Sequence, residues 1–140
     1  MTLVIAAAQL ETVAVAAAAA FPDECCGLLI GGEDPAGQLV VAEVIAAANV
    51  ADRPARRFEV DPKTLLSVHR RARETGLRLI GHYHSHPDGE AVPSAHDRAR
   101  AFEPGEVWLI VPVNGGVAGA PCAHLFDGTG FRPMAIRSEG

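Results

Sequence analysis

Two histidines and an aspartate near the middle of the chain have the types and the spacing of a metal site. His84 and His86 are separated by a single residue within the segment Gly81-His82-Tyr83-His84-Ser85-His86-Pro87, and Asp97 follows after a segment that contains Pro and Gly. Two imidazoles and one carboxylate form a ligand set that zinc accepts while a fourth position stays open for water. An open position of this kind indicates a catalytic rather than a structural zinc site.

The elements predicted around these residues would bring them together. Leu77 to His84 is predicted as a strand, and side chains two positions apart leave a strand on the same face, so both imidazoles can reach one ion. A helix is predicted over Ser94 to Phe102, which puts Asp97 in its first turn with Ser94 one turn earlier on the same side.

Hydrolysis at such a site also requires a general base, and Glu24 is the leading candidate. It stands just before Cys25-Cys26-Gly27 and a short apolar run that is predicted as a buried strand. A rigid strand at that point could direct the carboxylate into the site.

The other predicted elements mix strands and helices without strict alternation. Asp61 and Pro62 have the pattern of an N-cap followed by a first helical residue, and Gly76 stands where a helix-terminating glycine is expected. The predicted strands are 2–6, 27–30, 38–46, 58–60, 107–113, 122–126 and 131–136, and the other helices are 9–20 and 62–75. This order predicts an α/β sandwich around a mixed sheet, in a single domain over residues 1–140.

Composition excludes several classes of function. The net charge of −5 argues against nucleic-acid binding, which requires clustered Lys and Arg. No apolar run is long enough for a membrane span, and the N-terminus lacks the basic region of a signal peptide. Cys25, Cys26 and Cys122 are odd in number and poorly placed for a disulfide framework, which favours the cytoplasm.

The combined pattern resembles that of the JAMM (MPN+) metalloproteases, also called JAB domains. It consists of His84-Ser85-His86, seven residues, Ser94, two residues and Asp97, with Glu24 upstream of a Cys-Gly-Leu-Leu strand. The resemblance extends roughly from Val13 to Phe126 and implies a cytidine-deaminase-like (MPN) sandwich, a mixed sheet flanked by helices.

The same resemblance assigns roles to these positions. It implies that His84, His86 and Asp97 hold one zinc ion per chain. Glu24 would take a proton from the metal-bound water and return it to the leaving amine, and the hydroxyl of Ser94 would stabilise the oxyanion.

Family members cleave peptide or isopeptide bonds after the tails of ubiquitin-like proteins, and this short chain resembles the compact stand-alone prokaryotic forms. The resemblance therefore implies a zinc metallopeptidase that acts on the C-terminal Gly-Gly tail of a ubiquitin-like or sulfur-carrier protein. A Gly-Gly tail lacks side chains and could enter a narrow metal cleft.

Several alternatives remain open from the sequence. The chain could cleave short peptides, or it could be a non-catalytic module that binds a ubiquitin-like partner. His82 shares strand parity with His84 and His86, so it could be a ligand, although packing or support of a ligand is the preferred interpretation. The oligomeric state is open, and the apolar N-terminal helix could form a homodimer surface.

Overall fold

A computed structural model describes all 140 residues, which form three helices and eight strands. In chain order these are β1 (Thr2–Ala6), α1 (Ala7–Ala20), β2 (Cys26–Glu33), β3 (Leu39–Ala47), α2 (Pro62–Glu74), β4 (Arg78–Pro87), α3 (Ala95–Arg100), β5 (Val107–Asn114), β6 (Val117–Ala118), β7 (Cys122–Phe126) and β8 (Phe131–Glu139). None of the helices is both long enough and apolar enough to span a membrane.

The strands form one mixed sheet in the order β4-β2-β3-β1-β8-β7-β5-β6, and β4 also pairs with β5. This extra pairing closes the sheet into a barrel-like ring, to which β6 is attached through β5. β1 runs parallel to β3 and β8, and β4 runs parallel to β5, whereas the other pairs are antiparallel. The predicted α/β class with a mixed sheet and flanking helices is confirmed, and the closure is an addition to it.

Helices α1 and α2 pack against opposite faces of the sheet. Successive residues of a strand point to opposite faces of the sheet. The central positions of β2 are all buried because a helix covers each face. Leu29 lies in the main core with Val13 of α1, whereas Ile30 lies with Val68 and Ala72 of α2. The two helices thus hold β2, and β4 beside it, from both sides.

A β-bulge in β4 sets which of its side chains face the site. Leu79 pairs with Ile30 and Gly81 pairs with Leu29, so Ile80 is an extra residue without a partner on β2. The alternation of β4 side chains between the two faces of the sheet therefore shifts by one residue at this point.

Beyond the bulge, Tyr83 enters the main core and the three histidines of β4 face the other way. Gly81 is required at the bulge because a Cβ there would lie 2.2 Å from the carbonyl oxygen of Val107 on β5. This close approach lets β4 and β5 pair in parallel through the whole histidine segment.

Several predicted elements differ from the structure in type or extent, among them the strand predicted over 77–84, which spans Arg78–Pro87. The predicted strand 58–60 makes only an isolated bridge between Asn49 and Val60, because the carbonyl of Phe58 accepts from the Arg100 guanidinium instead of a strand. The predicted helix 94–102 is shorter, since Ser94 is its N-cap and Ala101 is already extended. The strand predicted to end before Gly31-Gly32 continues through both glycines, and β6 was not predicted.

Candidate metal centre

Strand β4 and helix α3 bring His84, His86 and Asp97 together. The Nε2 atoms of His84 and His86 lie 3.0 Å apart, and Oδ2 of Asp97 lies 3.3 and 3.0 Å from them, respectively. Donor atoms bound at 2.0–2.1 Å around a tetrahedral centre would be about 3.3–3.4 Å from each other. The three atoms therefore fit the ligand set of one zinc-sized ion.

Each imidazole is oriented through its other nitrogen. Nδ1 of His86 donates to the carbonyl oxygen of Glu90 at 2.7 Å, and Nδ1 of His84 lies 3.3 Å from Nε2 of His82. With Nδ1 engaged in this way, both Nε2 lone pairs can point to the same place.

Asp97 is held by the N-terminus of α3. The backbone N–H of Ser94 donates to Oδ2 of Asp97 at 2.9 Å, and the N–H of Asp97 donates to Oγ of Ser94 at 3.1 Å. This reciprocal pair is a capping box. It fixes the carboxylate toward the histidines and leaves the hydroxyl hydrogen of Ser94 free to donate.

Glu24 lies beside the two histidines, just before β2. Its backbone N–H donates to the carbonyl of Pro54 at 2.7 Å, and its carbonyl accepts from the Asn49 amide at 2.9 Å. A carboxylate oxygen of Glu24 and the ligand nitrogens of His84 and His86 all lie within 4.8 Å of one another. Oε1 of Glu24 is buried without a hydrogen-bond partner, which leaves an acceptor for a group bound in the site.

Two carboxylates thus reach the same pair of imidazoles. Oδ2 of Asp97 touches both nitrogens and is held by α3, whereas Glu24 is farther away and has a free oxygen. The shorter contacts favour Asp97 as the third ligand, and the free oxygen suits Glu24 to proton transfer.

Burial tunes the protonation of the site. It lowers the pKa of His84 to about 4 and raises the pKa of Glu24 to about 7. Burial would also raise the pKa of Asp97, but the close contacts of its carboxylate with His84 and His86 outweigh burial and hold that pKa far below its usual range. At neutral pH the site therefore offers a neutral imidazole, a carboxylate, and a carboxyl group able to gain or lose a proton.

Three supporting residues carried no signal in the sequence. The Phe58 ring stacks on His84 with centroids 4.4 Å apart, and Oγ of Ser85 accepts from the backbone N–H of Cys25 at 2.8 Å, which ties the Glu24 segment to β4. The side-chain amide of Asn49 donates to the carbonyls of Glu24 and Arg57, and its oxygen accepts from the N–H groups of Ala51 and Glu59. These bonds hold the connection between β3 and α2, which carries Phe58. The partners of Phe58 and Ser85 are distant in sequence, so no local pattern could reveal these two contacts.

The other histidines and the cysteines lie outside the cluster. His124 is buried and its Nε2 contacts the carbonyl of Ala91, and His96 faces away from the neighbouring Asp97 into a separate cavity. All three cysteines are free, and Cys26 is a buried core residue.

The cluster opens to solvent through a cleft of about 430 Å³. Glu24, His86 and Ser94 all face it. The remaining lining residues are Ala55, Arg56, Pro87, Gly89, Glu90, Val92 and Pro93. The cleft therefore lies between the connection before α2 and the loop that joins β4 to α3.

A family model described as prokaryotic homologs of the JAB domain matches residues 6–123, which include every residue of the cluster. The chain belongs to this JAB family. The resemblance inferred from the histidine motif is thereby confirmed.

Two relatives of this JAB domain have informative names. A desampylase of Haloferax volcanii is 37% identical over 118 residues, which cover 84% of this chain and 80% of the relative. A Thermus thermophilus protein named "Probable TtuB-protein conjugate cleaving protease" is 40% identical over 62 residues, covering 44% of this chain and 42% of that protein.

Solved structures share the fold of this JAB domain. A solution structure of a protein from Desulfitobacterium hafniense superposes with a TM-score of 0.84 at 29% identity, covering 98% of this chain and 92% of the other. A crystal structure of a JAB1/MPN domain protein from Archaeoglobus fulgidus gives a TM-score of 0.60 at 20% identity, covering 97% and 98%. The predicted MPN-type sandwich is confirmed.

Proposed function

We propose that this JAB domain is a zinc-dependent peptidase or isopeptidase that cleaves an amide bond at the C-terminal Gly-Gly tail of a ubiquitin-like or sulfur-carrier protein. The observation that carries the proposal is the convergence of His84, His86 and Asp97 beside a buried Glu24 in one open cleft. Family membership supports the same assignment.

His84, His86 and Asp97 would hold one zinc ion per chain. Their donor atoms are oriented and close together, and two nitrogens with one carboxylate suit zinc and leave room for a fourth ligand. Zinc bound there would supply Lewis acidity, which polarises a carbonyl and lowers the pKa of a bound water to about 7.

Glu24 is proposed to move the proton. It accepts a proton from the attacking water and delivers it to the nitrogen of the departing amine. Burial raises the pKa of this carboxyl group above its ordinary value, which makes it a stronger base than an exposed carboxylate. Its unpartnered Oε1 is available for the first of these transfers.

Ser94 is proposed to stabilise the negative charge that develops on the carbonyl oxygen. Its Oγ already accepts from the N–H of Asp97, so the hydroxyl hydrogen is free to donate to an oxyanion. Ser94 and His86 line the same cleft, so a carbonyl group held at the proposed metal site would lie near the Ser94 hydroxyl.

The relatives support a protein conjugate as the substrate, since one is named a desampylase and the other a conjugate-cleaving protease. The cleft favours a thin polypeptide, because it runs between two loops and is lined by Pro87, Gly89 and Pro93. Two consecutive glycines would pass between such walls without a side chain to clash. Three free cysteines suit a reducing compartment, and we place the reaction in the cytoplasm.

The test is intact-mass spectrometry of a sulfur-carrier protein with a C-terminal extension or cysteine adduct, incubated with the unmutated protein and with Glu24→Gln. We expect loss of mass back to the Gly-Gly end with the unmutated protein only, and none when a zinc chelator is added. Glu24→Gln keeps the shape of the side chain but cannot carry the proton. The cleavage rate should therefore fall by roughly 10²–10⁴-fold, the usual contribution of general acid–base catalysis.

Asp23→Asn is the matched control, because it removes a neighbouring carboxylate that is exposed to solvent. It should cleave at the unmutated rate. An unchanged carrier mass with zinc bound would contradict the proposal, and cleavage of short peptides under the same conditions would then favour a general peptidase.

A further inference from the structure

His82 lies behind His84, on the side away from the proposed ligand cluster. It is buried, and its Nε2 lies 3.3 Å from Nδ1 of His84, whereas Nε2 of His84 faces His86 and Asp97. His82 therefore contacts the wrong nitrogen to be a third histidine ligand. It is placed instead to act on His84.

The other nitrogen of His82 faces a carboxylate. Oε1 of Glu106 lies 3.5 Å from Nδ1 of His82, and Glu106 directly precedes Val107, which pairs with Gly81 on β4. Glu106, His82 and His84 thus form a row that leads toward the cluster.

Two aromatic rings hold His82 in this orientation. Its ring lies with centroids 4.4 Å from Trp108 in an edge-on contact and 5.0 Å from Phe58. The planes of the His82 and His84 rings are nearly parallel, with centroids 5.3 Å apart and an interplanar angle of 21°, and their facing nitrogens lie 3.3 Å apart.

The placement of protons follows from these contacts. If Nε2 of His84 gives its lone pair to a metal, the ring proton must be on Nδ1, where Nε2 of His82 can accept it. His82 then carries its own proton on Nδ1, where the Glu106 carboxylate attracts it.

We infer that His82 is a positioning residue that, together with Glu106, fixes the orientation and tautomer of His84 for metal binding. This inference rests on the proposed metal site. A carboxylate–histidine partner behind a ligand histidine raises the basicity of the ligand and holds its ring, and removal of such a partner typically weakens metal binding about 10–100-fold.

A purely structural role can be separated by substitution at position 82. His82→Phe retains an aromatic ring between Phe58 and Trp108 but leaves the fully buried Nδ1–H of His84 without an acceptor. His82→Gln keeps an amide oxygen that can reach the place of Nε2. We expect zinc affinity, measured by competition with a chelator, to fall about 10–100-fold for His82→Phe. His82→Gln should restore most of it.

Thermal unfolding of the metal-free proteins controls for loss of structure. Zinc binding by a folded His82→Phe as tight as that of the unmutated protein would overturn the inference. If His82→Phe does not fold, the result for His82→Gln and the tautomers of the unmutated protein decide.

The tautomers can be read directly from the zinc-loaded unmutated protein by ¹H–¹⁵N correlation of its histidine rings. The inference requires the proton on Nδ1 of both His82 and His84. A proton on Nε2 of His82 would contradict it.

The part played by Glu106 is tested by Glu106→Leu in two backgrounds. It should weaken zinc binding in the unmutated protein but have no further effect beside His82→Phe, because Glu106 acts through His82. Equal losses of zinc affinity in both backgrounds would show that Glu106 does not act through His82. Failure of the unmutated protein to bind zinc at all would instead overturn the metal centre, which separates the two proposals.

Discussion

Ser94 serves helix α3 and the proposed reaction through different atoms. Its oxygen caps the helix by accepting from the N–H of Asp97, and its hydroxyl hydrogen remains for the oxyanion. Ala at an N-cap costs about 1 kcal/mol, whereas Gly costs only a few tenths. The two substitutions therefore separate the roles.

We predict that Ser94→Ala and Ser94→Gly lose turnover equally, by roughly 10²–10³-fold, while only Ser94→Ala loses appreciable stability. Cleavage rates and urea unfolding of both variants make the check. If Ser94→Ala loses turnover and stability while Ser94→Gly keeps both, Ser94 acts only by holding α3.

At the residue scale, the cluster itself could be read from the sequence because its members are close in the chain. His84 and His86 share a strand face, and Ser94 and Asp97 share the first helical turn. Glu24 was a candidate because it stands just before a predicted buried strand, but its role in proton transfer came from the family resemblance, since nothing local joins it to β4. Phe58 looked like a strand residue, and its stacking on His84 depends on a fold that brings the two segments together.

At the scale of elements, the bulge in β4 directs the histidines, and Gly81 makes it possible. A Cβ at position 81 would meet the backbone of Val107 at 2.2 Å, which no side-chain movement can relieve. At Gly32 of β2, the nearest atom to an added Cβ is a Leu77 side-chain carbon at 3.6 Å, an ordinary contact.

Gly81→Ala should therefore destabilise the protein by about 1–3 kcal/mol or more, and should weaken zinc binding because β4 and β5 must separate. Gly32→Ala is the matched control and should be close to neutral. Urea unfolding and zinc titration measure both effects. Equal stability of the two variants would show that the close approach of β5 does not require glycine at position 81.

The turn between β7 and β8 contains a carboxylate that links stability to pH. Asp127 accepts from Arg132 and from the backbone N–H groups of Thr129 and Gly130, and these bonds hold the pKa of Asp127 well below its usual range. A depressed pKa in the folded state stabilises the protein above the carboxyl's unfolded pKa of about 3.9, and that stability is lost as pH falls through the folded value.

We predict that Asp127→Asn lowers the urea midpoint at pH 7 and that the difference shrinks as the pH falls below about 4. Glu11→Gln, on the exposed face of α1, gives the baseline for loss of one surface carboxylate. A difference between Asp127→Asn and the unmutated protein that is the same at pH 3 and pH 7 would contradict the prediction.

At the scale of the whole molecule, closure of the sheet places the site. β4 pairs with β2 on one side and with β5 on the other, so the histidines lie on a strand that is fixed along both edges. The loops at its end remain free to form the cleft. A strand fixed along both edges, with loops at its end, is the arrangement that the proposed metal site and the proposed polypeptide substrate require.

Most helices and strands could be predicted from local patterns, such as the Asp61-Pro62 start and the Gly76 end of α2. The ring closure could not, because it depends on the pairing of β1 with β8, two strands that lie at opposite ends of the chain. The bulge was also hidden, since Leu79 and Ile80 are both apolar and both faces of β4 are covered there.

We propose that Asp97, not Glu24, completes the metal site with His84 and His86. The direct measurement is the zinc content, after dialysis, of the unmutated protein, Glu24→Gln and Asp97→Asn. We expect one zinc per chain in the first two proteins and little in Asp97→Asn. Full zinc content in Asp97→Asn together with loss of zinc from Glu24→Gln would contradict it and exchange the roles of the two carboxylates.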